Sequence, residues 1–289
     1  MPDLASDTER RLLFAYDAAV PPSSRVVRRE QDGAVVREHL RFRNPNGQEV
    51  PALLTRPADP PAAGRRERTP VFVVGHGGGA SKDEPAIQQL HEVWARVGVA
   101  VCTIDAPLHG ERATGADTFR TLETLAQQPE SALDFCVEYV IDHRRLLDVL
   151  QQRDDLDPWR LAFCGMSMST FFGVQFVAID ERIRAAAFLI GGAGFAHLLA
   201  SRVPEEQRGA AERVAALIDP LHYAGWIAPR PVIQVNGTRD SLVPQPVAMM
   251  LHGALQQPKR LLWYDGDHAD VPEDHMREVR QFLLDALGP

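Results

Sequence analysis

From Pro70 to the end of the chain, short unbroken apolar runs alternate with helix-compatible stretches. Val71-Phe72-Val73-Val74 stops at Gly75-His76-Gly77-Gly78-Gly79, and Val99 to Ile104 stops at Asp105. Leu161 to Cys164 turns at Gly165, Ala185 to Ile190 stops at Gly191-Gly192, and Pro231 to Val235 and Arg260 to Tyr264 complete the series. Apolar runs this short, bounded by turn residues, mark strands buried on both faces. Between them lie helical patterns: one with Leu90, Val93, Trp94 and Val97, one from about Glu130 to Gln152, and an apolar run after Gly165 through Val177. Two more lie further on, about Pro246–Gln256 and Glu273–Leu287. Strands alternating with helices predict an α/β fold with a mostly parallel sheet covered by helices on both faces.

The chain ahead of Pro70 has a different rhythm. Residues 6–20 predict a short amphipathic helix closed by Pro21-Pro22. Residues 25–56 alternate apolar and polar positions, with Asp32-Gly33 and Asn46-Gly47 as hairpin turns, so antiparallel strands are expected at one edge of the sheet. Residues 57–70 read as an exposed loop and the stretch around 110–130 as polar. A charged helical insert over about 193–225 reads as a small lid or cap on a single domain spanning residues 1–289.

Composition narrows the field. The 289 residues are 45% hydrophobic and 24% charged, ample for a full core, and the net charge of −8 with no basic block argues against a nucleic-acid partner. Only Lys82 and Lys259 are lysines among 31 basic residues, which reads as coding bias. No run reaches the ~18 uncharged apolar residues of a membrane helix, and the amino-terminal residues lack the basic start and apolar centre of a signal peptide. Cys102, Cys136 and Cys164 sit in apolar segments without metal-like spacing, which predicts buried thiols in a reducing cytoplasm. Oligomeric state leaves no mark in the sequence.

The candidate chemistry sits at the ends of the predicted strands. Ser167 lies between a buried strand and a helix, with Gly165 and Ser169 two places away on either side. That is the form of a sharp elbow presenting a nucleophile, although Ser169 departs from the usual second glycine. Asp240 lies just past the strand ending at Val235, and His268 just past the last strand. The order Ser167, Asp240, His268 at successive strand ends is that of a Ser-Asp-His triad: the imidazole takes and returns the serine proton, and the carboxylate orients the ring. The N–H of Met168 and an N–H of the glycine loop, Gly78, are the candidate oxyanion donors. Asp265, Asp267 and Asp270 are rival acids, and His275, in the last helix and expected to face solvent, is the rival base.

On these residues the chain resembles a serine hydrolase of the α/β-hydrolase fold from about residue 25 onward. It is similar to the dienelactone-hydrolase, acetyl-xylan-esterase and prolyl-oligopeptidase-like group. The likeness is carried by Asn46-Gly47-Gln48-Glu49-Val50-Pro51-Ala52-Leu53-Leu54, His76-Gly77-Gly78 and Asp105-Ala106-Pro107-Leu108-His109-Gly110. Asp219-Pro220 followed by Pro229-Arg230-Pro231 adds to it. The resemblance implies ester or related acyl hydrolysis through an acyl-enzyme on Ser167, with no metal or organic cofactor. The short cap predicts an open pocket for small to medium esters, and the lack of a long apolar run predicts no membrane partner. His76, Gly79, His109 and Arg112 are candidate pocket residues, each with a structural or solvated-loop reading beside it. Phe171 and Phe172 are expected in the core. Amide, peptide, thioester or C–C hydrolysis, acyl transfer, and a catalytically silent binding scaffold stand as alternatives.

Overall fold

In the computed structural model, which describes residues 5–58, 68–115, 127–194 and 203–288, nine strands form one sheet. They are β1 (Ser24–Asp32), β2 (Val35–Arg43), β3 (Glu49–Pro57), β4 (Thr69–Gly75), β5 (Ala100–Ile104), β6 (Leu156–Met166), β7 (Ile183–Leu189), β8 (Val232–Gly237) and β9 (Lys259–Tyr264). The seven α-helices among the described residues are α1 (Asp7–Leu12), α2 (Pro85–Ala95), α3 (Pro129–Gln151), α4 (Met168–Ile179), α5 (Arg208–Ile218), α6 (Gln245–Ala254) and α7 (Glu273–Leu287). Strand order is β1-β2-β3-β5-β4-β6-β7-β8-β9, antiparallel from β1 through β3 to β5 and parallel from β5 to β9.

The period-2 geometry of a strand sends alternate side chains to opposite faces, so each central strand feeds two cores. On one side Val71, Val73, Leu161, Phe163, Ala186 and Phe188 pack with residues of α3, α4, α5 and α6. On the other, Phe72, Val74, Ala162, Cys164, Ala185 and Ala187 pack with Ile87 and Trp94 of α2 and Val279 and Leu283 of α7. The chain runs from β4 outward to β5, then returns past β4 to form β6. In open α/β sheets the crevice that takes a ligand lies at such a reversal, which here falls at the carboxyl ends of β4 and β6.

Helix α1 is shorter than the 6–20 expected. Ser6 caps it reciprocally with Glu9, and beyond Leu12 the chain leaves the helix to bury Phe14 completely; a tertiary contact outweighs the continuing amphipathic pattern. In α2, Trp94 is core as expected, but Val93 faces out, as does Val97 just past the helix end. Much of the expected 57–70 loop, residues 59–67, lies outside the described residues, as do 195–202 of the expected insert; the rest of that insert includes α5 and three 3₁₀ turns. No helix among the described residues is long and apolar enough to cross a membrane. The three cysteines are buried free thiols, and burial pushes those of Cys102 and Cys164 up to about 12.

Two histidines lie wholly inside the cores. His91 bonds the hydroxyls of Thr55 and Thr103 (3.1 and 2.8 Å), and His143 donates from Nδ1 to the Tyr139 carbonyl (2.8 Å). Burial lowers both imidazoles from 6.5 to about 3. As pH falls below 6.5 the unfolded chain takes up protons that the folded chain refuses, so this part of the stability is complete above about 6.5 and is lost toward about 3. Each group contributes a slope of up to ~1.4 kcal/mol per pH unit. Urea midpoints are therefore expected to fall from pH 7 to pH 5, and less steeply in His91→Gln. A gap between the two proteins that does not change with pH contradicts this reading.

Candidate active site

Strands β4 and β6 are neighbours, and their register pairs Gly75 with Gly165 at the ends facing the crevice. That glycine pair makes room for the turn into α4. A Cβ on Gly165 would collide with the Ser169 carbonyl oxygen, and one on Gly75 would meet the Ser169 Cβ at 2.5 Å. Ser169, the departure from the usual elbow, thus fits because Gly75 on the adjacent strand gives up the volume. Its hydroxyl donates to the His76 carbonyl (2.5 Å), tying the elbow helix to the glycine loop.

Ser167 sits at the turn with φ 51° and ψ −113°, a conformation that L-residues rarely adopt and that costs on the order of 1–3 kcal/mol. Hydrogen bonds hold it there. Its N–H donates to the Leu189 carbonyl (2.9 Å), and its own carbonyl accepts from the Thr170 N–H (2.8 Å). Thr170 Oγ1 lies 2.9 Å from the Gly165 and Leu189 carbonyls. Met168 is the first residue of α4, and a helix-start N–H has no intrahelical acceptor and carries the positive end of the helix dipole.

His268 connects two strand ends. Its Nδ1 is 2.8 Å from Asp240 Oδ2 and its Nε2 is 2.8 Å from Ser167 Oγ. A carboxylate only accepts, so Nδ1 carries the proton and Nε2 presents a lone pair to the serine hydroxyl. The Asp240 side chain is fully buried, and its other oxygen accepts from the N–H groups of Leu242 and Val243 (2.9 and 2.8 Å). The three residues singled out by their order in the sequence therefore meet in one hydrogen-bonded chain.

The rivals occupy other posts. Asp267 Oδ1 accepts from the N–H of Ser241 and of His268 (3.0 and 2.8 Å), lashing the Asp240 loop to the His268 loop without touching the ring. Those backbone donors hold the Asp267 carboxyl below its ordinary value. Asp265 pairs with Arg239, and Asp270 accepts from the Asp267 N–H. His275 does not face open solvent as expected; it is half-buried with its ring edge-on to Tyr264.

Three of the four expected pocket residues are committed to the protein itself. His76 is buried; its Nε2 accepts from the Ala106 N–H (3.1 Å) and its Nδ1 donates to the Gly77 carbonyl (2.8 Å). Burial lowers this imidazole to about 4, so it is neutral. His109 is fully buried, donates from Nδ1 to the Pro107 carbonyl (2.8 Å), and packs against His76 and Phe135. Arg112 bonds the Asp105 carbonyl, Asp142 (2.7 Å) and Glu138, fastening its loop to α3. Gly79 is exposed, at φ +79°, inside the turn that the Ala80 N–H closes on the Gly77 carbonyl. Phe172 packs on the core beside Phe135, as expected.

One group of carboxylates could suggest a metal. Asp83, Asp105 and Glu111 bring oxygens within 4.8 Å of one another. The Lys82 ammonium, however, lies among them at 2.6, 3.1 and 2.7 Å and supplies the cation itself. Burial alone would lower that ammonium, but the three carboxylates outweigh it and hold it above its ordinary value. A lysine kept in an arginine-rich chain thus has a structural reason here, which coding bias does not supply.

No family model matches the chain. Among curated proteins, an uncharacterized protein, YfhR, of Escherichia coli K12 is 25% identical over 156 residues, 51% of this chain and 54% of the relative. The form from E. coli O157:H7 is 26% identical over 159 residues, again 51% and 54%. The chain thus spans about half the length of the curated relatives it matches. Solved structures align over more. An acetyl xylan esterase from Thermoanaerobacterium sp. JW/SL YS485 superposes with a TM-score of 0.76 at 16% identity, covering 99% of this chain and 94% of that one. One from Paenibacillus sp. R4 gives 0.75 at 20% identity, covering 97% and 93%. A cold-adapted esterase from an Arctic intertidal metagenomic library gives 0.67 at 22% identity, covering 89% and 96%. At these identities the likeness is one of fold.

Proposed function

We propose that this chain, which has the α/β-hydrolase fold, is a serine hydrolase that cleaves small to medium carboxylic esters through an acyl-enzyme on Ser167. The observation that carries the reading is the unbroken chain Ser167 Oγ–His268–Asp240, with both links at 2.8 Å and a strained serine at its head. Ser167 Oγ attacks the ester carbonyl while His268 Nε2 takes its proton. Asp240 keeps the Nδ1–H tautomer and offsets the imidazolium charge. The negative oxygen of the tetrahedral intermediate is met by the Met168 N–H and by the Gly78 N–H.

The geometry of the Gly77–Gly78 peptide supports the second donor. The Gly77 carbonyl is engaged by the His76 Nδ1–H and the Ala80 N–H. In a trans peptide C=O and N–H point opposite ways, so fixing that carbonyl turns the Gly78 N–H to the other side of the loop. Each such donor lowers the barrier by ~3 kcal/mol. Collapse of the intermediate returns the His268 proton to the departing alcohol, and water then repeats the sequence to free the acid. Esters are favoured over amides, thioesters and C–C bonds by the esterase relatives of the same fold.

Rapid mixing with p-nitrophenyl acetate tests the reading. The expected record is a burst of p-nitrophenol approaching one equivalent per chain, succeeded by a slower steady rate. Release no faster than in buffer would leave a non-catalytic binding scaffold as the better account.

A further inference from the structure

The loop that offers Gly78 is made flexible by its three successive glycines, whose backbones lose the most entropy when fixed. It is nevertheless fastened at both ends, and to the same dipeptide. At its start, the His76 ring accepts from the Ala106 N–H. At its end, the Lys82 N–H donates to Asp105 Oδ1 (2.9 Å) and the Lys82 ammonium to Asp105 Oδ2 (3.1 Å). Asp105 is fully buried directly after β5, and its Oδ2 also accepts from the Glu111 N–H (3.0 Å). Space for that carboxylate depends on Gly110, at φ +52°, where a Cβ would collide with the Asp105 carboxyl group.

The residue type is informative as well. An ammonium has three N–H donors that diverge from one point, and here each meets a different carboxylate, of Asp83, Asp105 and Glu111. A guanidinium is a wider, planar group, and the space between these three carboxylates is filled by the compact, buried ammonium. The chain's other lysine also gathers oxygens, two carbonyls rather than three carboxylates. Lys259 Nζ reaches the His252 and Leu255 carbonyls at the end of α6 (2.5 and 2.7 Å), away from the site. Both lysines thus stand where a compact cation meets more than one oxygen.

We propose that Lys82 is a positioning residue for the oxyanion site, holding the far end of the glycine loop on Asp105 as His76 holds the near end on Ala106, so that the Gly78 N–H faces Ser167. The proposal rests on the ester-hydrolase reading above. A misplacement of about 1 Å at such a donor costs on the order of a hundredfold in rate.

Lys82→Met is expected to lower kcat ten- to hundredfold while KM for p-nitrophenyl acetate stays within about twofold. Affinity for a trifluoromethyl ketone, whose adduct places an oxyanion in the same site, should weaken by the same factor as kcat/KM. Lys82→Arg should not restore kcat. Lys82→Ala should regain activity in millimolar propylammonium, which replaces the missing part of the side chain. Lys259→Met is the control for lost stability alone, with a lower urea midpoint and unchanged kcat. If Lys82→Met does not fold, Glu111→Gln, at the exposed rim, carries the test with a severalfold loss in kcat and in ketone affinity. Wild-type kcat and ketone affinity in the folded variant, or an equal kcat loss in Lys259→Met, overturns the proposal while the wild-type burst persists. A wild-type protein with no burst removes the ester-hydrolase reading and this one with it.

Discussion

Ser167→Ala is expected to reduce turnover of an activated ester by about 10⁴–10⁶-fold, the range found when a triad nucleophile is removed. Fold and urea midpoint should be almost unchanged, because the hydroxyl's partner in the protein is the His268 ring at the rim of the crevice rather than a core group. Alanine at φ 51° is strained as serine is, so the substitution leaves the backbone cost unchanged. The informative comparison is Ser169→Ala. That hydroxyl is buried and donates to the His76 carbonyl, so its loss should perturb the glycine loop but leave most of the activity. Rates for the two variants on one ester, with unfolding curves beside them, separate the roles. A collapse in Ser169→Ala with a near-normal Ser167→Ala would move the nucleophile.

The second large effect is expected at Asp240, the acid of the proposed triad. Asp240→Asn replaces an acceptor facing His268 Nδ1 with an amide that can turn its N–H₂ toward the ring. The imidazole would then be held in the tautomer that cannot accept the serine proton, and the imidazolium would lose its counter-charge. Turnover is expected to fall by up to ~10⁴-fold with substrate binding largely kept. Asp267→Asn should cost far less. Its oxygen Oδ1 holds the N–H groups of Ser241 and His268, and an amide oxygen can still accept both. Asn at Asp265 or Asp270 should be milder again. Measuring kcat and KM for all four variants on one ester decides the assignment. A collapse in Asp267→Asn without one in Asp240→Asn would transfer the role of the acid.

Those contrasts mark how far the sequence can be read. The parallel strands are legible where they are buried on both faces and so appear as unbroken apolar runs, as in β4 and in Leu161–Cys164 of β6. The first half of β6, with Asp157, Arg160 and the exposed Trp159, gives no such signal. The two hairpins are legible because Asp32-Gly33 and Asn46-Gly47 announce their turns. That Ser167, Asp240 and His268 come within hydrogen-bond reach of one another is legible from their order at strand ends. The inward-turned residues are not. A histidine beside a glycine loop looks the same in sequence whether its ring faces a ligand or, as at His76 and His109, a backbone carbonyl. Arg112 has the sequence context of a pocket cation, yet its charge is spent on Asp142 and Glu138. Lys82 carries no local mark because its meaning depends on three carboxylates drawn from positions as far apart as 83 and 111. Helix α1 ends sooner than its pattern predicts because nothing local says that Phe14 leaves the helix for the core.

The measurement that bears most directly on the account is the identity of the modified side chain after reaction with a fluorophosphonate, read by peptide mass spectrometry. One phosphonylated residue per chain is expected, Ser167, with labelling lost in Ser167→Ala and strongly slowed in Asp240→Asn. Modification at Ser169 or elsewhere, or a folded protein that hydrolyses esters without labelling Ser167, contradicts it.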